Sequence, residues 1–482
     1  MSASTQMGQP EAGRTFIQDL RPSQRNGAEP TDMLSSSVRR PRRAIHLLAG
    51  VIACLLTIFL LTGASVAEDA KAAAPAGAAA PAAPATTPTA PAAPAAAPAP
   101  AAAPGQQALT KLKVYYLGKA YSEPLPLSYA ERPVTDKGIE GARLYIKQAN
   151  KSGGFVGMGF DLVEAVVPEN GDVVAKAKEI LKDGDAMIVA DLEPKDLLAV
   201  ADLPEAKNSI LMNIRSSAEI LRQEECRQNV FHVAPDWAMR ADALAQYLIW
   251  KKWPRWVVLR GDSAADKDYL AMIERAAKRY GGRVVQETVY PFPPGARNLD
   301  SGYQQVQSQI PMVTEQLPDH DVIWVIDTDE FFGDYLPYRT YRPDLVVGTQ
   351  GLQALAWDKS YTEYGAMTLQ NDMFKLAKRD STERDYSAWI AVRAFTDAAM
   401  RAGKTTVPEI KAYILSDDFN LEAHKGMALN FRRWDHQMRQ PILLGGGTRT
   451  VASKSPQEGF LHEKNVVDTL GYDEPETKCK FH

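Results

Sequence analysis

Polar side chains that could hold a small molecule follow successive predicted strands in the first half of the globular sequence. They are two carboxylates, one guanidinium and two hydroxyls, carried by Asp191, Glu193, Arg215, Ser216 and Ser217. Tyr121 and Glu123, just after the first predicted strand, are expected at the same wall, where each could contact a ligand or have a plain structural role. Because the carboxyl ends of parallel strands meet at one edge of a sheet, we expect these groups to form one wall of a ligand-binding cleft.

The second half of the globular sequence offers further candidate ligand-binding groups at the ends of its strands and in one adjoining loop. They are Asp262, Asp327, Asp329 and Gln350. Residues 327–330 form a concentrated acidic loop, whose oxygens could hold a hard cation such as calcium. The loop is not an EF-hand, because Phe332 stands where glycine is required. Ligand-facing carboxylates or a solvated, hinge-stabilising loop are the other interpretations, and we predict no resident metal.

The sequence carries no recognisable catalytic motif. It has no P-loop, no G-x-S-x-G and no dinucleotide fingerprint, and its 7 histidines lack metal-binding spacing. We therefore predict a binding protein without enzymatic activity and without a cofactor. The formal net charge of -4 is mild and no basic stripe is present, so nucleic acid is not an expected partner.

Strand and helix patterns alternate through the globular part of the sequence. In its first half, strands are predicted at residues 111–117, 160–167, 186–190 and 209–214, and helices at 136–150, 173–181 and 194–201. The alternation restarts with helices at 239–251 and 266–280, strands at 256–259, 283–290, 322–326 and 345–347, and a late helix at 386–401. This order predicts an α/β fold of two lobes, each a mostly parallel sheet flanked by helices, with a ligand between them.

The N-terminal region is typical of an exported protein. Basic residues at 39–43 lead into an apolar run at 44–61 and a small-residue segment at 62–67, as in a secretory signal peptide whose start could be Met33. A retained membrane anchor is the alternative, although an anchor usually needs about 20 apolar residues. The Ala/Pro tract that follows is expected to be an extended spacer.

These patterns divide the chain into seven segments. They are a basic polar region (1–43), a signal-peptide or anchor region (44–67), an Ala/Pro-rich linker (68–109), the first part of lobe 1 (110–236), lobe 2 (237–368), a return to lobe 1 (369–425) and C-terminal strands with a tail (426–482).

The cysteines predict one disulfide. Three cysteines occur, and if Cys54 leaves with the signal, Cys226 and Cys479 remain. An even pair in an oxidising compartment favours a bond between them, which would close a very long loop and pin the C-terminal tail to the first lobe. Two unpaired thiols are the alternative.

Several segments resemble a known family. NVFHVAPDWAM at 229–239, ALAQYL at 243–248, WVVL at 256–259 and GD at 261–262 are similar to the lobe crossover of type I periplasmic binding proteins, the receptors of ABC importers in the branched-chain amino-acid branch. A second set of segments resembles a subfamily encoded beside pyrroloquinoline-quinone-dependent alcohol dehydrogenase systems. These segments are GDYLPYRT at 333–340, GTQG at 348–351, LSDDF at 415–419, RQPIL at 439–443, SPQEGFLH at 455–462 and DTLGYD at 468–473.

The resemblance implies a periplasmic receptor with an ABC permease as partner and the alcohol dehydrogenase system as a further one. In amino-acid-binding relatives, first-lobe hydroxyls hold the ligand carboxylate and a second-lobe acid holds its ammonium. Here the loop at 190–194 lacks the serine, Gln350 stands where the acid is expected, and the loop at 261–266 lacks the usual aromatic residue. These departures favour a neutral polyol, an alcohol-derived or a cationic ligand, or a non-transport accessory whose ligand role is lost.

Overall fold

The computed structural model describes residues 109–124, 126, 132–293, 300–446 and 451–482. The predicted leader, its possible start at Met33 and all of the predicted linker except its last residue lie outside these residues. All of the described residues belong to one compact unit. Among the described helices, none is long and apolar enough to cross a membrane.

The first lobe is built on a parallel sheet of five strands in the order β2-β1-β3-β4-β5. Its strands are β1 Thr110–Lys119, β2 Met158–Val167, β3 Met187–Asp191, β4 Ile210–Asn213 and β5 Val230–His232. The helices between them are α1 Ile139–Gly153, α2 Val173–Leu181 and α3 Pro194–Ala201.

The second lobe is built on a parallel sheet of four strands in the order β7-β6-β8-β9. Its elements in chain order are α4 Trp237–Trp250, β6 Arg255–Arg260, α5 Ala264–Tyr280, β7 Arg283–Val289, α6 Asp300–Glu315, β8 Val322–Ile326, α7 Leu336–Arg339 and β9 Leu345–Gly348.

The remaining elements return to the first lobe and close both lobes. They are β10 Gln353–Leu355, α8 Ala366–Ala377, α9 Glu383–Ala402, α10 Val407–Ile414, β11 Leu421–Glu422, β12 Ala428–Phe431, β13 Met438–Arg439, β14 Ile442–Gly445 and β15 Ser453–Ser455. The small strands form two antiparallel sheets, β10-β14-β15 and β11-β12-β13. Helix α9 buries Trp389 and Phe395 in the same core as Val114 of β1.

Each large sheet separates two apolar cores, because successive side chains of a strand point to opposite faces. In β3, Met187 and Val189 face the core shared with α9, whereas Ile188 and Ala190 face the core on the other side. Such strands, buried on both faces, are typical of parallel sheets covered by helices. The predicted two-lobed α/β fold is therefore confirmed.

The sequence placed most of these elements within a few residues but missed others. Helices α4 and α9 begin at Trp237 and Glu383, earlier than the predicted 239 and 386, while α1 begins at Ile139 rather than 136. Asp236 and Thr382 cap the first turns of α4 and α9, and the first turn of α9, at residues 383–385, is too polar to continue the apolar period. Helices α6, α7, α8 and α10 and several of the short strands were not predicted.

The predicted disulfide is confirmed. Cys226 and Cys479 are bonded, with their Cα atoms 5.7 Å apart and a sequence separation of 253. The bond fixes the C-terminal tail to the loop that precedes β5, as expected.

Candidate functional site

A cavity of about 540 Å³ lies between the two lobes, at the carboxyl ends of both sheets. First-lobe residues that line it include Glu193, Arg215, Ser216 and Ser217, and second-lobe residues include Asp327, Asp329, Thr349 and Gln350. Trp237 and Arg240 of α4 and Glu383 and Arg384 of α9 complete its lining. A second cavity of about 690 Å³, lined by Tyr121 and Asp191, shares Arg215 and Arg384 with the first.

Arg215 is the centre of the first-lobe wall. Its Nε donates to Asp191 Oδ1 at 2.8 Å, one terminal nitrogen to Glu193 at 3.2 Å and the other to Glu123 at 3.0 Å. The guanidinium also lies 4.7 Å from the ring centre of Tyr121. These bonds use three of its five N–H donors and pair its charge with carboxylates, so Arg215 is not an uncompensated cation waiting for a ligand carboxylate.

Further cations neutralise the carboxylates around Arg215. Glu123 accepts from Arg384 at 2.6 Å and from Lys137 at 2.5 Å. Burial alone would raise the pKa of Glu123, but Arg384 and Lys137 lower it to about 2. Asp191 also accepts from the Tyr116 hydroxyl at 2.8 Å. The wall is thus a pre-assembled network of alternating charges, named below the first-lobe charge network.

Backbone contacts shape the serine loop after β4. The Asn213 side chain accepts from the backbone N–H groups of Arg215 and Ser216, at 3.1 and 2.9 Å. The Ser216 hydroxyl accepts from Ala218 N at 3.3 Å, so it closes its own turn. Ser217 lies beside it in the lining of the cavity.

On the second lobe, Asp327 closes the acidic loop from within. Its carboxylate accepts backbone N–H groups from Phe331, Phe332 and Gly333 at 2.9, 2.7 and 2.6 Å. The side chain is almost fully buried, and burial raises the pKa of its carboxyl. Both carboxylate oxygens of Asp327 therefore accept hydrogen bonds from its own loop. In the described part of the chain, no group of acidic, histidine or cysteine side chains is arranged to hold a metal ion.

The side-chain amide of Gln350 is also hydrogen-bonded within the second lobe. Its amide oxygen accepts from the Thr349 hydroxyl at 2.5 Å, and its nitrogen donates to the Asp327 carbonyl at 3.1 Å. Only 4% of the residue is exposed. Gln350 thus lies against the cavity but holds β9 to the acidic loop.

The structure brings nearly all of the predicted ligand-binding residues to the cleft. Asp262 is the exception, since it lines a neighbouring pocket of the second lobe and pairs with Lys267 and Arg260. Sequence reasoning missed the first turns of α4 and α9. There Arg240 donates to Glu383 at 2.8 Å and to the Ala354 carbonyl at 2.6 Å, across the floor of the cleft. The T-x-x-D capping signature at 382–385 was the available signal for the α9 turn.

Two parallel-sheet lobes with a polar cleft at the carboxyl ends of their strands define the type I periplasmic-binding-protein fold. A family model described as periplasmic binding protein matches residues 129–323. Among curated proteins, none matches the chain.

Solved structures of binding proteins share the fold at low sequence identity. A periplasmic binding protein from Burkholderia mallei is 17% identical, covering 77% of this chain and 99% of its own, with a TM-score of 0.55. An ABC transporter solute-binding protein from R. palustris, in complex with benzoate, is 14% identical, covering 77% of this chain and 100% of its own, with a TM-score of 0.55. The leucine-, isoleucine-, valine-, threonine- and alanine-binding protein from Brucella ovis is 14% identical over 77% and 99%, with a TM-score of 0.57.

Proposed function

We propose that this protein is the solute-binding receptor of an ABC importer and captures a small molecule between its lobes. The observation that carries the proposal is the cavity of about 540 Å³, to which both lobes contribute polar side chains. A ligand that contacts both lobes stabilises the closed arrangement, which a permease can then distinguish from the open one. Structural neighbours such as the benzoate-bound solute-binding protein from R. palustris and the amino-acid-binding protein from Brucella ovis support this class of function.

The ligand is proposed to be a neutral polyol, an alcohol-derived compound or a cation rather than an ordinary α-amino acid. The carboxylates of the first-lobe charge network pair the charge of Arg215, and Gln350 lacks the charge that an ammonium group favours. We propose that Tyr121, Asp191, Glu193, Arg215, Ser216 and Ser217 form the first-lobe contact surface, and that Asp327, Asp329 and Gln350 form the facing one.

We place the receptor in the periplasm, exported by its N-terminal signal or held at the inner membrane by it, with residues 68–109 as a tether. The disulfide supports an oxidising compartment. A link to pyrroloquinoline-quinone-dependent alcohol oxidation rests on the resemblance of the segments at 333–340, 415–419 and 455–462. A tethered accessory or sensor of that system, using the same fold without transport, is the second candidate, because the first-lobe charge network fills part of the cleft wall.

A ligand screen separates the two candidates. The full chain is tested by thermal shift against alcohols, polyols, amines, amino acids, quinone cofactors and metal ions, and hits are confirmed by calorimetry. A receptor is expected to gain stability with one class, by about 2.7 kcal/mol when the ligand is at 100 times its Kd. If no compound of the panel stabilises the protein, the role of a non-transport accessory is favoured. Tight binding of an amino acid contradicts the proposed ligand class.

A further inference from the structure

A smaller cavity of about 260 Å³ opens beside the main cleft in the second lobe. Four aromatic residues line it: Tyr290, Phe292, Phe331 and Phe332. Asp329 lines both this cavity and the main one, so it stands where the two meet. We name the smaller cavity the aromatic pocket.

The walls of the aromatic pocket are held in place by the surrounding structure. Tyr290 stacks on Phe332 with ring centres 4.2 Å apart, and its hydroxyl donates to Gln309 at 2.8 Å. Phe292 meets the Tyr290 ring edge-on at 5.6 Å. The Phe331–Phe332 segment is fixed by the backbone bonds to Asp327. The pocket is therefore formed before any ligand arrives.

The carboxylates around the pocket differ in how they are satisfied. Asp262 pairs with Lys267 and Arg260. Asp266 accepts from the backbone N–H and hydroxyl of Thr328 at 2.9 and 2.8 Å, and from Ser263 N at 3.1 Å.

Asp329 is the carboxylate left to meet a ligand. Within the described ranges it has neither a hydrogen-bond nor an ion-pair partner. Burial and the Asp266 charge raise the pKa of the Asp329 carboxyl, as expected for a negative charge without a counterion.

An unpaired carboxylate at the mouth of an aromatic cavity selects for positive charge. The faces of aromatic rings attract ammonium groups, whereas an anion would meet the unpaired Asp329. Ligand sites commonly measure about 300–1,000 Å³, so this pocket suits one part of a ligand whose remainder lies in the main cleft.

We propose that the aromatic pocket binds an amine-bearing apolar group of the ligand, with the ammonium against Asp329 and the apolar part against the aromatic rings. This inference rests on the proposed receptor function and narrows its ligand to an organic amine. Asp329 is then the residue that determines specificity for charge.

Matched probes test the inference. Calorimetry with the full chain compares 2-phenylethylamine, the neutral 2-phenylethanol and the anionic 3-phenylpropionate. We expect the amine to bind at least tenfold more tightly than the other two. Asp329→Asn is expected to remove that preference while changing alcohol affinity less than twofold, and Phe331→Ala to weaken the amine at least fivefold. Asp319→Asn, on an exposed carboxylate beside Arg255, is the control and should change nothing.

Failure of this inference can be distinguished from failure of the proposed receptor function. Equal affinity for the amine and the alcohol, tighter binding of the carboxylate, an unaltered amine preference in Asp329→Asn or no amine binding at all would each overturn the inference. The receptor function fails only if the wider ligand panel is silent. Thermal unfolding of each variant, compared with wild type, separates lost binding from lost folding.

Discussion

At the scale of single residues, Arg215 is the central cation of the first-lobe charge network and pairs with three carboxylates. Arg215 is 11% exposed and Asp191 9%, so both ions lie largely out of water. We predict that Arg215→Gln lowers the free energy of unfolding by about 3 kcal/mol, because it leaves a buried carboxylate without its main counterion. Chemical denaturation monitored by circular dichroism measures this change.

The matched control for that prediction is Arg433→Gln. Arg433 pairs with Asp417 where the two side chains are 63% and 94% exposed. Exposed pairs contribute about 0–1 kcal/mol, so the control should unfold almost as the wild type does. Equal losses in both variants would show that burial of the network does not set its strength.

The sequence predicts where the residues of the site lie better than it predicts the hydrogen-bond partners of their side chains. The position of Arg215 after a predicted strand was enough to place it at the cleft. Its engagement by Glu123 and Glu193 was not predictable, since the three residues come from loops brought together only by the fold. The same holds for Asp327, which lines the cavity while its carboxylate accepts backbone N–H groups from its own loop.

At the scale of elements, buried strands were the easiest to predict and helix beginnings the hardest. Residues 322–326 form a continuous apolar run, and β8 has those bounds. Helix α9 begins with a turn whose side chains Glu383 and Arg384 line the cavity. A helix turn that faces a polar cleft does not show the apolar periodicity on which the prediction relied.

The crossing of α1 and α9 depends on one glycine. A Cβ atom at Gly141 would lie 1.9 Å from the Asp385 carbonyl oxygen, a distance that requires the helices to separate. At an exposed helix position, alanine is more favourable than glycine by about 1 kcal/mol. At this crossing we nevertheless predict that Gly141→Ala lowers the free energy of unfolding by about 2–3 kcal/mol. It should also displace Glu383 and Arg384 from the cleft floor, which weakens ligand binding as measured by calorimetry.

Gly154→Ala is the control for this crossing. Gly154 has a φ of -57° and nothing within 4 Å of an added Cβ atom. The control should change the free energy of unfolding by no more than about 0.5 kcal/mol. A stable Gly141→Ala variant with unchanged ligand affinity would contradict the assigned helix contact.

At the scale of the whole molecule, the C-terminal tail joins the two lobes. Arg275 and Arg279 of α5 donate to the Gly471 carbonyl at 2.8 and 3.0 Å and pair with Glu476 at 3.0 and 3.2 Å, which holds the tail to the second lobe. Three residues later, Cys479 is bonded to Cys226 in the first lobe. The tail is therefore a short covalent connection across the hinge, in addition to the segments that cross between the sheets.

This connection is expected to limit how far the lobes open. We predict that Cys226→Ser with Cys479→Ser lowers the free energy of unfolding by about 2–5 kcal/mol. The ligand-free protein should also show a wider range of lobe separations, because the tail no longer restrains the first lobe. Energy transfer between dyes on unnatural amino acids at Lys182 and Lys278, one in each lobe, measures that range. Lys478→Ala removes the exposed pair with Glu224 but keeps the disulfide, so its distances should match those of the wild type. If the double serine variant gives the same distances as Lys478→Ala, the hinge segments alone set the opening.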